Sequence, residues 1–195
     1  MSFKDEFHRI VEKQISREGI GPFMKWLDST DFFTAPASTR HHGAWEGGLV
    51  QHSLNVYVQL NQLAELYGLG EDGGIANVDE TIALVSLFHD VCKAGCYKVE
   101  TRWRKNKYQQ WEQYPTYKYE EDFAYGGHGA KSVFLVQSFM KLSPEEASAI
   151  NCHMGQWDAT TYSNPTEVYC RNKLAWLLHV ADEAADFLME NKQEV

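Results

Sequence analysis

The stretch Leu87-Phe88-His89-Asp90-Val91-Cys92-Lys93 constrains this chain more than any other. It closes a run of apolar residues, Ile82 to Phe88, interrupted only by Ser86, with two adjacent metal-type ligands and a lysine one helical turn further on. Such a run predicts a helix buried on most sides, and ionisable groups at its end must be paired or metal-bound to offset their desolvation. On its own, a His-Asp pair is also what a structural histidine held by an aspartate looks like, so its meaning depends on the rest of the chain.

Helical spacing recurs on both sides of that run. Ser2 caps a first helix carrying Phe3, Phe7, Ile10, Val11 and Ile15, with Gly19 as its stop, and Gly21-Pro22 starts a short one with Phe23, Trp26 and Leu27. From Gly48 to about Tyr67, a long helix aligns Leu49, His52, Val56, Leu60 and Leu63 on one face. Asp79 is placed to cap the central helix after a glycine- and asparagine-rich loop, 68–77. A helix opening near His128 puts His128, Ser132 and Leu135 on one side. The capping box Ser143-Pro144-Glu145-Glu146 opens another, with Ala147, Ile150 and His153 inward. Asn164-Pro165-Thr166-Glu167 opens a last long helix whose inward row reads Leu174, Leu178, Asp182, Ala185 and Met189.

One region departs from this period. Between Tyr97 and Tyr119 the aromatic, alternating residues Tyr97, Val99, Trp103, Tyr108, Trp111, Tyr117 and Tyr119 suit strands, with a turn at Lys105-Asn106-Lys107. The expected fold is therefore all-α, a single domain over 1–195 with one inserted β-hairpin at about 97–119. The hairpin either walls a pocket or simply packs its aromatics on the helices.

Composition narrows the function. At 195 residues and 44% hydrophobic the chain suits one domain with a sizeable core. No stretch approaches the roughly 20 apolar residues of a membrane span and no signal pattern opens the sequence, so a cytoplasmic protein without a membrane partner is expected. The formal net charge of -9 disfavours long nucleic acid, and the basic cluster Arg102 to Lys107 reads as a solvated turn. Cys92, Cys96, Cys152 and Cys170 form no CxxC pair, so reduced thiols are expected, with neither a disulfide scaffold nor a thiolate zinc site.

Singly, each of His52, His128 and His153 is more often a hydrogen-bonded core histidine than a ligand. Jointly, five helices bring His52, His89, Asp90, His128, His153 and Asp182 to inward faces, more ionisable groups than a core absorbs without a cation. Imidazole with carboxylate suits a first-row transition metal such as Fe, Mn, Zn or Ni better than calcium.

In this ordered set, His52 within Gly47-Gly48-Leu49-Val50-Gln51-His52-Ser53, then His89-Asp90, then Asp182 within His179-Val180-Ala181-Asp182, the chain resembles the HD-domain superfamily of metal-dependent phosphohydrolases. The resemblance runs from about Arg40 to Phe187 and implies an HD-domain helical bundle over 40–187, behind packing helices in 1–39. It implies one ion on His52, His89, Asp90 and Asp182, with Asp90 bridging to a second on His128 and His153. Two divalent ions would then turn a metal-bound hydroxide on a small phosphorylated substrate, such as a nucleotide. Asp90 and Lys93 would carry the chemistry, and Arg40, Lys93 and Lys131 would contact phosphate, although a solvated helix face is the plainer reading for Lys131. His41 and His42 read as exposed loop residues, and His179 as a core residue close to the ligands. Some superfamily members with the same six ligands are di-iron oxygenases, and a further branch degrades RNA from its 3′ end; both stand as alternatives.

Overall fold

A computed structural model describes residues 1–40, 43–71, 73–157 and 165–190. The helices start at or near their capping residues. In α1 (Phe3–Gln14) the Ser2 hydroxyl accepts from the Asp5 amide and the Asp5 carboxylate accepts from the Ser2 amide. It ends before Ile15, and Gly19 instead leads into α2 (Ile20–Asp28) at φ 94°. A Cβ there would lie 1.9 Å from the Phe139 carbonyl oxygen, so only glycine makes this turn.

Helix α3 (Gly48–Leu66) runs as expected, and α4 (Val78–Phe88) is capped two residues earlier than expected, by Asn77, whose side chain accepts from the Glu80 amide. Asp79 lies in the first turn, where its charge opposes the helix dipole favourably. Every residue from Thr81 to Lys93 is buried. Helix α4 packs on α1 and α3, and the Phe88 ring meets Phe23 at 4.7 Å edge-on. Helices α5 (His128–Gln137) and α6 (Pro144–Cys152) follow the hairpin, with the Ser143–Glu146 capping box formed in full.

The last long helix is interrupted. Helix α7 (Pro165–Arg171) ends where Asn172 turns extended and accepts from the Ala175 amide, starting α8 (Lys173–Ala184), which packs on both α3 and α6. Asparagine offers the backbone a local alternative to continuing the helix, and here it takes it. Asn164 lies outside the described residues. Beyond Ala184 the backbone widens into a π-helical turn, Ala185–Glu190. That turn moves the inward position from the expected Met189 to Glu190, which is buried.

Strands β1 (Tyr97–Lys105) and β2 (Trp111–Tyr119) pair antiparallel, from Tyr97 opposite Tyr119 to Lys105 opposite Trp111. The connection is wider than the expected turn: the Asn106 side chain accepts from the Tyr108 and Gln110 amides, and Gln109 adopts φ 62°. Val99, Trp103, Tyr108 and Trp111 are exposed, so the distal aromatics do not pack on the helices. The foot of the hairpin does. Tyr97 donates its hydroxyl to the Ala37 carbonyl at 3.0 Å, and the Tyr97 and Tyr119 rings meet at 5.5 Å. All four cysteines are free, and among the described residues no helix is long and apolar enough to cross a membrane.

Candidate metal centre

The centre lies where the ends of α4 and α6 face the second turn of α3, which carries His52, and the last turn of α8, which carries Asp182. The last carbonyls of any helix lack intrahelical partners, and here two imidazoles supply them. His89, closing α4, donates Nδ1–H to the Ser86 carbonyl at 2.8 Å, and His153, closing α6, donates Nδ1–H to the Ile150 carbonyl at 2.7 Å. A carbonyl only accepts, so the proton is fixed on Nδ1 and the Nε2 lone pair is turned inward. On α3, His52 does the same through a carboxylate: its Nδ1 lies 3.1 Å from Glu190 Oε1. Anchoring the far nitrogen to a carbonyl or carboxylate is how metal-binding histidines are usually oriented.

The inward atoms converge. His52 Nε2 and His89 Nε2 lie 3.3 Å apart, and Asp182 Oδ1 lies 3.0 Å from the first and 3.6 Å from the second. Asp90 Oδ2 is 3.6 Å from His89 Nε2 and 2.6 Å from Lys93 Nζ. Ligand atoms sharing one tetrahedral ion at about 2.0–2.3 Å stand about 3.3–3.8 Å apart, and His52 Nε2 to Asp90 Oδ2, at 3.8 Å, completes a set of separations of 3.0–3.8 Å, close to that range. Two further atoms would suit a cation: Asp90 Oδ1 and His153 Nε2 are buried and 3.4 Å apart, yet neither has a hydrogen-bond partner. Buried polar atoms are rarely left so.

Charge supports the same conclusion. Burial alone would lower the His52 pKa, but the hydrogen bonds and charges of Asp182 and Glu190 outweigh it and raise it to about 10. Burial would likewise raise Asp90 and Asp182; the charges of Lys93 and His89 and the His153 contact hold Asp90 well below the usual carboxylate range, and hydrogen bonds with His52 and His89 do so for Asp182. Three carboxylates, Asp90, Asp182 and Glu190, thus face one lysine and the proton they hold on His52, and a divalent ion that displaced that proton would balance the two negative charges then left. The donor set and its spacing fit a transition metal: His52, His89 and Asp90, and His89, His153 and Asp182, are groups that could hold one.

The six expected ligands are therefore brought together, with one difference in grouping. His153, besides lying 3.4 Å from Asp90, groups with His89 and Asp182, whereas His128, the first residue of α5, groups with Asp90 and Cys92. Lys93 is buried against Asp90 and, with Tyr97, Tyr119 and His128, lines a cavity of about 210 Å³. The foot of the hairpin is thus a wall of that cavity. Arg40 is exposed, one residue beyond Ser38 and Thr39 on the cavity rim, and His41 and His42 lie outside the described residues. The solvated reading of Lys131 is corrected: it is 2% exposed, and its ammonium binds Asp122 Oδ1 at 2.6 Å and the Phe123 carbonyl at 3.1 Å, clear of the six ligands. His179 donates Nδ1–H to the His153 carbonyl at 2.6 Å and stacks on Tyr169.

Glu190 is the residue that sequence reasoning missed. It accepts from His52 and, at 2.9 Å, from the Asn55 side-chain Nδ2. Replacing Glu190 with alanine is expected to weaken metal affinity by about 10–100-fold, the usual cost of losing such a partner, with helical content unchanged. Competition with a chelator measures it, and wild-type affinity would remove Glu190 from the site.

Comparison of the chain with protein-family models, curated proteins and solved structures returns no match.

Proposed function

We propose that this chain is an HD-type metal-dependent phosphohydrolase with a dinuclear centre, acting on a small phosphate ester such as a nucleotide. The observation that carries it is the convergence of three imidazole Nε2 atoms, each anchored through Nδ1, on Asp90 and Asp182 beside a buried lysine. Cations bound there would supply Lewis acidity, acidifying water and offsetting charge that develops on phosphoryl oxygens.

The chain's own groups do the rest. Asp90, held ionised, is acceptor-only and would be the carboxylate common to the His52–His89 and Cys92–His128 groups. Lys93, itself buried, presents a fixed positive charge to the cavity, where it would stabilise negative charge on a phosphoryl oxygen. The cavity admits a phosphoryl group with the rest of the ester outside, against Ser38, Thr39 and the tyrosine wall. Burial raises the Tyr97 pKa to about 12, so that wall stays uncharged at neutral pH.

The test is a screen of phosphomonoesters, phosphodiesters and nucleotides with protein loaded anaerobically with Mn, Fe, Zn or Ni, while O₂ consumption is followed. Phosphate release dependent on metal is expected. Lys93→Ala should keep the metal and lose about 10²–10³-fold in kcat, the scale of removing one charge-stabilising group. Turnover that consumes O₂ and releases no phosphate would replace this reading with the oxygenase.

A further inference from the structure

The second metal position is where this chain departs from a purely imidazole and carboxylate centre. Cys92, two residues past Asp90, is buried in the short 3₁₀ turn Val91–Lys93, and its Sγ lies 3.5 Å from His128 Nδ1. Asp90, Cys92 and His128 each offer a ligand atom within 4.8 Å of one another. Two ligands on one tetrahedral zinc, a sulfur at about 2.3 Å and a nitrogen at about 2.0 Å, stand about 3.5 Å apart. The turn that holds the sulfur is itself fixed, since the Cys92 amide donates to Ser132 Oγ at 3.2 Å and the Cys96 thiol donates to the Cys92 carbonyl. Asp90 Oδ2 is engaged by Lys93, while its Oδ1 is buried and lacks a hydrogen-bond partner.

From this geometry we infer that Cys92 is a thiolate ligand of the second cation, which is held by Asp90, His128 and Cys92 and is zinc-like in preference. The inference rests on the dinuclear reading above and adds to it the identity of the ligands and the asymmetry of the pair. The first position, all nitrogen and oxygen, suits iron, manganese or zinc, whereas a thiolate selects the softer zinc or cobalt. Charge argues the same way. One divalent ion already neutralises the carboxylates around the first position, so a second would leave two positive charges. A thiolate cancels one of them and an anionic substrate the remainder. On binding, the metal–sulfur bond replaces the S–H bond and the proton leaves to solvent.

The experiment is an anaerobic titration of the full chain with cobalt(II), read by cobalt content and by absorption. Two cobalt ions per chain are expected, and the second equivalent should bring in the intense near-ultraviolet band of thiolate-to-cobalt charge transfer. Cys92→Ser should abolish that band and weaken the second ion at least tenfold while leaving the first in place; Cys96→Ser and Cys152→Ser should keep it. The wild-type band needs no variant to fold, and sulfur in the zinc coordination shell by X-ray absorption checks it independently. Two ions without the band, or a band that survives Cys92→Ser, overturns the thiolate alone and makes the 3.5 Å contact a neutral S–H···N hydrogen bond. A single bound ion overturns the dinuclear reading and this inference with it.

Discussion

Asp90→Ala is expected to purify without transition metal and without phosphohydrolase activity above background. Asp90 belongs to two of the three candidate groups, with His52 and His89 on one side and with Cys92 and His128 on the other, and in the third it lies 3.4 Å from His153, so its loss reaches all of them. The effect should exceed the about 10–100-fold expected for Glu190→Ala, since a direct bond to the cation is lost and not just its orientation. A structural cost comes with it. Lys93 is buried and has Asp90 as its ion-pair partner at 2.6 Å, and stranding a buried charge costs about 3–5 kcal/mol. The double variant Asp90→Ala, Lys93→Ala removes the stranded charge and should regain part of that stability while staying metal-free. Elemental analysis and denaturant unfolding of both variants separate the two effects. Wild-type metal content in Asp90→Ala would place the cation elsewhere.

The parts of this architecture legible in the sequence are those set by local period and capping. The run Ile82 to Phe88 is buried throughout, the Ser2 and Ser143 boxes form, and the hairpin occupies the expected span, because a helix buried all round, a capping serine and an alternating aromatic strand each carry their own signal. The histidines closing α4 and α6 stand out for a related reason: each follows an apolar turn whose carbonyls need a donor. What stayed hidden depends on backbone departures from the regular period or on distant partners. Glu190 reaches His52 only because the π-helical turn shifts the inward position by one residue, and no 3.6-residue count finds it. Asn172 breaks the last helix by a side-chain hydrogen bond that competes with an otherwise good helical pattern. Lys131 looked solvated because the aspartate that buries it sits in an irregular loop nine residues earlier. Cys92 has no CxxC spacing to mark it, and the imidazole that its sulfur meets, His128, lies 36 residues on, in α5.

The attachment of the N-terminal helices depends on another long-range contact, and cutting it should give the largest loss of stability away from the metal. Arg17, in the link between α1 and α2, binds Glu146 in α6 through both terminal nitrogens, at 2.6 and 2.9 Å, and donates to the Lys141 carbonyl at 3.1 Å. Glu146 also accepts from the Thr81 hydroxyl on α4 at 2.9 Å and from the Ser143 amide, so one carboxylate joins three segments of the bundle. It is 2% exposed, and removing its guanidinium partner leaves a buried charge uncompensated. Arg17→Met is therefore expected to destabilise the fold by about 3–5 kcal/mol in denaturant unfolding. The pH dependence has a defined sign. Burial alone would raise the Glu146 pKa, but the Arg17 hydrogen bonds and charge, the Ser143 amide and the Thr81 hydroxyl together hold it below the ordinary 4.5. A carboxylate whose pKa is lower folded than unfolded contributes stability that is fully present above the unfolded value and is lost as pH falls through the folded one. The wild type should lose this contribution below about pH 4.5. Arg17→Met, having largely lost it already, should show a shallower decline over the same window, so that the two proteins converge in acid. A gap between them that stayed constant from neutral pH into acid would show that Arg17 acts by packing of its alkyl chain and not through Glu146.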